Sequence, residues 1–131
     1  MEGISPEGIP YKVLIVDELM VMMKRLSLFF SSRGFLVSGT ASNGLHGVEL
    51  YKALYPKVDL VTLDTALPEL DGISALEQIL EFDQEAKVIM ISAQSDEDVI
   101  RKCILMGARS YIVKPLNIEK LLRNVVPVLR Q

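Results

Sequence analysis

Five short apolar runs separated by segments of helical period constrain this 131-residue chain more than any other feature. The runs fall at 12–16 (KVLIV), 35–41 (FLVSGTA), 58–63 (VDLVTL), 87–92 (KVIMIS) and 110–113 (SYIV). Three of them are nearly continuous in apolar residues, the pattern of parallel strands buried on both faces. Between the first two, Leu19, Met22, Met23, Leu26, Phe29 and Phe30 recur at helical spacing, with Gly34 placed to end that helix. Further helices are predicted over 44–55, 72–82, 96–106 and from Asn117 to about Leu129. Ser95 is expected to cap the fourth, whose first turn carries acids at 96, 97 and 98, and Gly107 to close it. Pro127 should fray or bend the last turn of the fifth. Strand and helix alternate five times, so the expected class is α/β: a doubly wound, five-stranded parallel sheet with helices on both faces.

Residues 1–11, MEGISPEGIPY, hold two Gly and two Pro and read as a flexible leader before a single domain at 12–131. A hydrophobic content of 50% is enough to build a core. The net charge of −3, without a Lys/Arg run, argues against nucleic acid as the main partner. The single cysteine, Cys103, cannot form an internal disulfide and is expected to pack as a small hydrophobe. No apolar run approaches the roughly 20 residues of a membrane span, and no signal peptide is evident. The expectation is a cytoplasmic protein without membrane association.

In sheets of this kind, ligands bind outside the carboxyl ends of the strands. Strand one ends in Asp17 and Glu18, strand three in Asp64, strand four in Ser92, and strand five in Lys114 followed by Pro115. Carboxylates sharing one pocket raise each other's pKa unless a cation sits between them. A hard divalent ion with oxygen ligands suits such a site, Mg²⁺ first and Mn²⁺ as the alternative. Lys114 adds a point charge and Ser92 a short hydroxyl donor, and with the metal they could hold a phosphoryl group. Asp64 is the carboxylate best placed as nucleophile.

VLIVDE (13–18), VDLVTLDTALPELDG (58–72), VIMISA (88–93) and GARSYIVKPL (107–116) together resemble the receiver domain of two-component response regulators. The layout is nearest that of the single-domain, chemotaxis-type members, and the likeness covers about 12–130. It implies a (βα)5, flavodoxin-like sheet in the order 2-1-3-4-5, with Asp64 as phosphoacceptor. It also implies Mg²⁺ held by Glu18 and Asp64 carboxylates, the Ala66 backbone carbonyl and, through water, Asp17. Ser92 would hydrogen-bond the phosphoryl oxygen, Lys114 would pair with it, and Tyr111 would serve as the switch aromatic. The Lys114–Pro115 bond would be cis. The implied partners are a histidine kinase as phosphodonor and a downstream protein target such as a flagellar motor component. No DNA-binding segment follows within these residues, so output by protein contact is expected. The chain would catalyse only its own phosphorylation and dephosphorylation, and would not otherwise be an enzyme.

Two positions depart from the family's pattern. Glu18 stands where Asp is usual, and one extra methylene displaces a ligand to an ion that tolerates poor octahedral geometry badly. Ala66 has no polar side chain, and Gln94 follows Ser92-Ala93. The alternative reading is a degenerate receiver that binds partners without phosphorylation, and Glu18 is the feature that favours it. An aspartate-based phosphatase needs a second Asp where Ala66 stands. A flavodoxin-like FMN carrier needs a Ser/Thr/Gly-rich loop where DELMVMM stands. His46, the only histidine, reads as surface. Met20, Val21 and Leu28 lie off the apolar face of the first helix, and Ile100 and Ile104 off that of the fourth. They mark two candidate docking faces, the first for the kinase and the fourth-helix/fifth-strand/fifth-helix surface for the output partner.

Overall fold

A computed structural model describes residues 1–131. It contains β1 (Lys12–Val16), α1 (Met20–Ser32), β2 (Leu36–Ala41), α2 (Gly44–Leu54) and β3 (Leu60–Leu63). These are followed by α3 (Gly72–Phe82), β4 (Val88–Ser92), α4 (Glu97–Met106), β5 (Ser110–Val113) and α5 (Ile118–Leu129). All strand pairs are parallel, in the order β2-β1-β3-β4-β5.

Side chains of a strand alternate between faces, and the apolar runs therefore feed two separate cores. Leu14, Val16, Val61, Leu63, Val88 and Met90 pack with Val48 and Tyr51 of α2, Leu76 and Ile79 of α3, and Cys103 of α4. Val13, Ile15, Leu60, Ile89, Ile91 and Ile112 pack with Leu26 and Phe30 of α1 and Leu121 and Val125 of α5. Each face thus has its own helical layer.

Element ends differ from the sequence reading by small, explicable shifts. Asp59 bonds Lys12 through both its backbone N–H and its carboxylate, so the regular β3 ladder starts at Leu60 rather than at 58. Phe35 donates its N–H to the Phe30 carbonyl and belongs to the stop of α1, not to β2. Asp96, not Ser95, caps α4, its carboxylate accepting the Asp98 N–H at 2.8 Å. Asn43, Asp71 and Asn117 cap α2, α3 and α5 in the same way. Gly107, at φ 124°, takes the conformation that ends α4. The helix continues past Pro127, with Val128 and Leu129 buried. Residues 1–11, read as a leader, hold an isolated bridge between Ile4 and Pro10. Gly3 donates to the Arg33 carbonyl and accepts from the Tyr11 N–H, which ties the segment to the end of α1.

One polar atom in the sheet is unsatisfied. Thr62, in central strand β3, is buried between Ile15 and Ile89, and its hydroxyl has no partner. An unpaired buried hydroxyl costs roughly 1–3 kcal/mol. Thr62→Val is therefore expected to stabilise the chain by about 1 kcal/mol, measured as a higher urea midpoint at unchanged slope. A lower midpoint would show that the hydroxyl has a role in the fold.

Candidate functional site

Sheet register brings the strand ends together. Val16 lies opposite Leu63 and Ser92 opposite Val113, so the residues that follow them share one rim. The ladder extends one bond further at each: the N–H groups of Asp17, Asp64 and Lys114 donate to the carbonyls of Ala41, Val16 and Ser92. Chain segments of the rim are held from below by close backbone contact. A Cβ on Gly72 would sit 1.9 Å from the Asp64 carbonyl oxygen, while the Gly72 N–H donates to Thr65 O at 2.9 Å. Glycine is the residue that lets α3 approach the Asp64 loop this closely.

Lys114 joins the two acids. Its Nζ donates to Asp17 Oδ2 at 3.0 Å and to Asp64 Oδ2 at 2.8 Å, and all three side chains are largely buried. Asp17 Oδ1 also accepts the Leu19 N–H at 2.8 Å, at the start of α1, a helix that has no side-chain cap of its own. Asp64 Oδ1 accepts the Ala66 N–H at 3.2 Å. Burial pushes the Asp17 carboxyl above its ordinary value, although the Leu19 N–H and Lys114 both pull it down. Burial would lower the Lys114 ammonium, but its hydrogen bonds to Asp64 and Asp17 outweigh this and raise it. Two carboxylates around one ammonium leave a net negative pocket.

Glu18 is not part of that group. It lies one residue beyond the buried Asp17, and its side chain is exposed. No three Asp, Glu, His or Cys side chains gather closely enough to hold a metal. The expected three-carboxylate pocket is thus two carboxylates and an ammonium, with Glu18 outside it. The donors still suit a hard cation: two buried carboxylates and the Ala66 carbonyl, which no hydrogen bond uses. Few protein ligands and several waters is the arrangement Mg²⁺ prefers.

Ser92, buried at the end of β4, accepts the Gln94 N–H at 3.0 Å. Its hydroxyl lies 2.5 Å from that of Thr65, which is also buried and donates to Gln94 Oε1 at 3.4 Å. Tyr111 is half-buried and donates to the Gln94 carbonyl at 2.7 Å. Burial raises its phenol, with the Ser92 and Thr65 hydroxyls drawing it back. Thr65 was missed in the sequence because nothing local marks it; its partner lies 27 residues away. The Lys114–Pro115 bond is cis, and so is Tyr55–Pro56. His46 is exposed on α2, away from these residues in the sequence and without a side-chain partner.

Comparison with known proteins gives a consistent picture. The sequence profile of the response regulator receiver domain matches residues 13–126. The chemotaxis protein CheY of Treponema pallidum (strain Nichols) is 49% identical over 128 residues, covering 98% of this chain and 89% of that protein. CheY of Thermotoga maritima is 40% identical over 104 residues, covering 79% of this chain and 85% of the relative. A chain in the CheX–CheY–BeF3–Mg2+ complex of Borrelia burgdorferi superposes with a TM-score of 0.94 at 46% identity, covering 96% of this chain and 95% of that one.

The buried Asp17 makes a pH prediction. Its folded pKa lies above 3.8, so the folded chain holds the proton more tightly than the unfolded one. Stability from this group is therefore lost as pH rises from 3.8 through the raised value. In metal-free buffer at pH 7, Asp17→Asn should unfold at higher denaturant than wild type. The difference should close as pH falls toward 3.8. A difference constant with pH would assign the gain to packing instead.

Proposed function

We propose, since the chain belongs to the response regulator receiver domain family, that Asp64 accepts a phosphoryl group from a histidine kinase. The observation that carries this reading is the Lys114 ammonium bridging the buried Asp17 and Asp64 at 3.0 and 2.8 Å. An Asp64 oxygen forms the new O–P bond as the donor's N–P bond breaks, and the electron pair leaves on the kinase imidazole. Lys114, already at Asp64, pairs with the incoming phosphoryl oxygens, and Ser92 donates a hydrogen bond to one of them. Asp17, Asp64 and the Ala66 carbonyl are the donors for Mg²⁺, with Mn²⁺ as the alternative; Glu18, exposed outside this pocket, would join them only by turning its carboxylate inward. Bound there, the ion supplies charge neutralisation for the transferring group. The Borrelia burgdorferi complex, in which CheY occurs with Mg²⁺, supports that choice. Tyr111 is the switch aromatic. The chain acts as a cytoplasmic signalling module that catalyses only its own phosphorylation and dephosphorylation.

The chemotaxis proteins to which the chain is similar support a chemotactic output, delivered by contact with a protein such as a flagellar motor component. Input and output have separate candidate surfaces. Met20, Val21 and Leu28 are well exposed on α1. Leu28 also lines a groove, with Met22, Phe29, Leu116 and Ile118, between α1 and the start of α5. On α4, Ile104 and Leu105 are exposed while Ile100 is half-buried, so Leu105 replaces Ile100 as the outward apolar residue.

Acetyl phosphate with Mg²⁺, followed by intact-mass measurement, tests the core of the proposal. Wild type should gain one phosphoryl group, Asp64→Asn none, and chelation should abolish the gain. Glu18→Asp should react at least as fast as wild type. No gain in wild type would hand the function to phosphorylation-independent binding. For the input surface, polar residues at Met20 and Leu28 should slow transfer from the kinase several-fold while leaving transfer from acetyl phosphate unchanged. Equal slowing of both would remove the α1 surface from the kinase's footprint.

A further inference from the structure

Gln94 is the meeting point of three hydroxyls from three segments. Its N–H is taken by Ser92, its carbonyl by Tyr111 and its Oε1 by Thr65. Each hydroxyl owns one proton. The Ser92 and Thr65 hydroxyls lie 2.5 Å apart and either can donate to the other, while Gln94 Oε1 is a longer acceptor for Thr65 at 3.4 Å. Ser92 and Thr65 are both more than nine-tenths buried, so water does not readily substitute for either partner. The Ser92 hydroxyl is therefore held by a hydrogen bond to a neighbour other than Asp64.

We propose that Thr65 is a positioning residue that latches the Ser92 hydroxyl in the unphosphorylated chain, and that Ser92 must leave it before serving a phosphoryl oxygen on Asp64. This rests on the reading of Asp64 as phosphoacceptor. The Thr65 backbone is held in place during that move. Its carbonyl is held by the Gly72 N–H, and Gly72 itself lies against the Asp64 and Thr65 backbone without room for a side chain. The Thr65–Ser92 bond is consequently exchanged for a Ser92–phosphoryl bond, and the latch opposes phosphorylation by its own strength. No proton leaves Ser92 in this exchange; with acetyl phosphate the Asp64 O–P bond forms, the donor P–O bond breaks and acetate departs with the electron pair.

Thr65→Val keeps the shape and removes the hydroxyl that holds Ser92. At limiting acetyl phosphate with Mg²⁺, it should raise the ratio of phosphorylated to unphosphorylated protein about fivefold, the equivalent of roughly 1 kcal/mol for one hydrogen bond. Thr65→Ser should restore the wild-type ratio. In a Ser92→Ala background, Thr65→Val should change nothing, because there is no hydroxyl left to hold. Thr65→Ala carries the same expectation as Thr65→Val should the latter not fold. A ratio unchanged or lowered by Thr65→Val, a Ser variant that behaves like Val, or an equal rise without Ser92 would each overturn the latch. Wild type that takes up phosphate while Thr65 variants match it removes the latch alone; wild type that takes up none removes both readings.

Discussion

The Lys114 ammonium holding two buried carboxylates is the constraint from which the rest of the site follows. Asp17 and Asp64 end adjacent strands whose register forces them together. Without a cation between them, like charges in a poorly solvated pocket would disfavour the fold. Lys114 reaches them from the end of β5, two strands from β3 and three from β1, so the compensation spans all of the sheet but β2. It is partial, since one positive charge faces two negative ones. A pocket with that residual sign attracts a dication while presenting an ammonium to an anion, the pair of properties that phosphoryl transfer needs.

The architecture was legible because both signals behind it are local. Continuous apolar runs mark strands covered on both faces, and the caps Asn117 and Gly107 are readable from a few neighbouring residues. Strand ends told which residues would share a rim, because in a parallel sheet all carboxyl ends lie on one side. What escaped depends on contacts between distant parts of the chain. Glu18 reads as a partner of Asp17, yet the two part company: Asp17 remains in the ladder with Ala41 and turns inward, while the next residue faces solvent. Thr65 looks like an ordinary loop threonine until β4 places Ser92 against it. Asp59 shortens β3 by bonding Lys12, 47 residues earlier.

Gln94 explains how a loop residue without catalytic chemistry can still matter to the site. Its backbone N–H and carbonyl are bound to Ser92 and Tyr111, so those two hydroxyls are spaced by a single residue of chain. Displacing either alters the position of the other through a connection of fixed length. The side-chain oxygen adds Thr65, next in sequence to Asp64. The rim is thereby linked to the surface of β5 by hydrogen bonds, in addition to the packing of Tyr111 against the core.

Separate packing on the two sides of the sheet has a consequence for tolerance to change. The α1 and α5 layer shares no buried apolar cluster with the α2, α3 and α4 layer. Remodelling one layer for a new binding partner leaves the other's interior undisturbed, so recognition surfaces on opposite sides can diverge independently while the rim chemistry stays as it is.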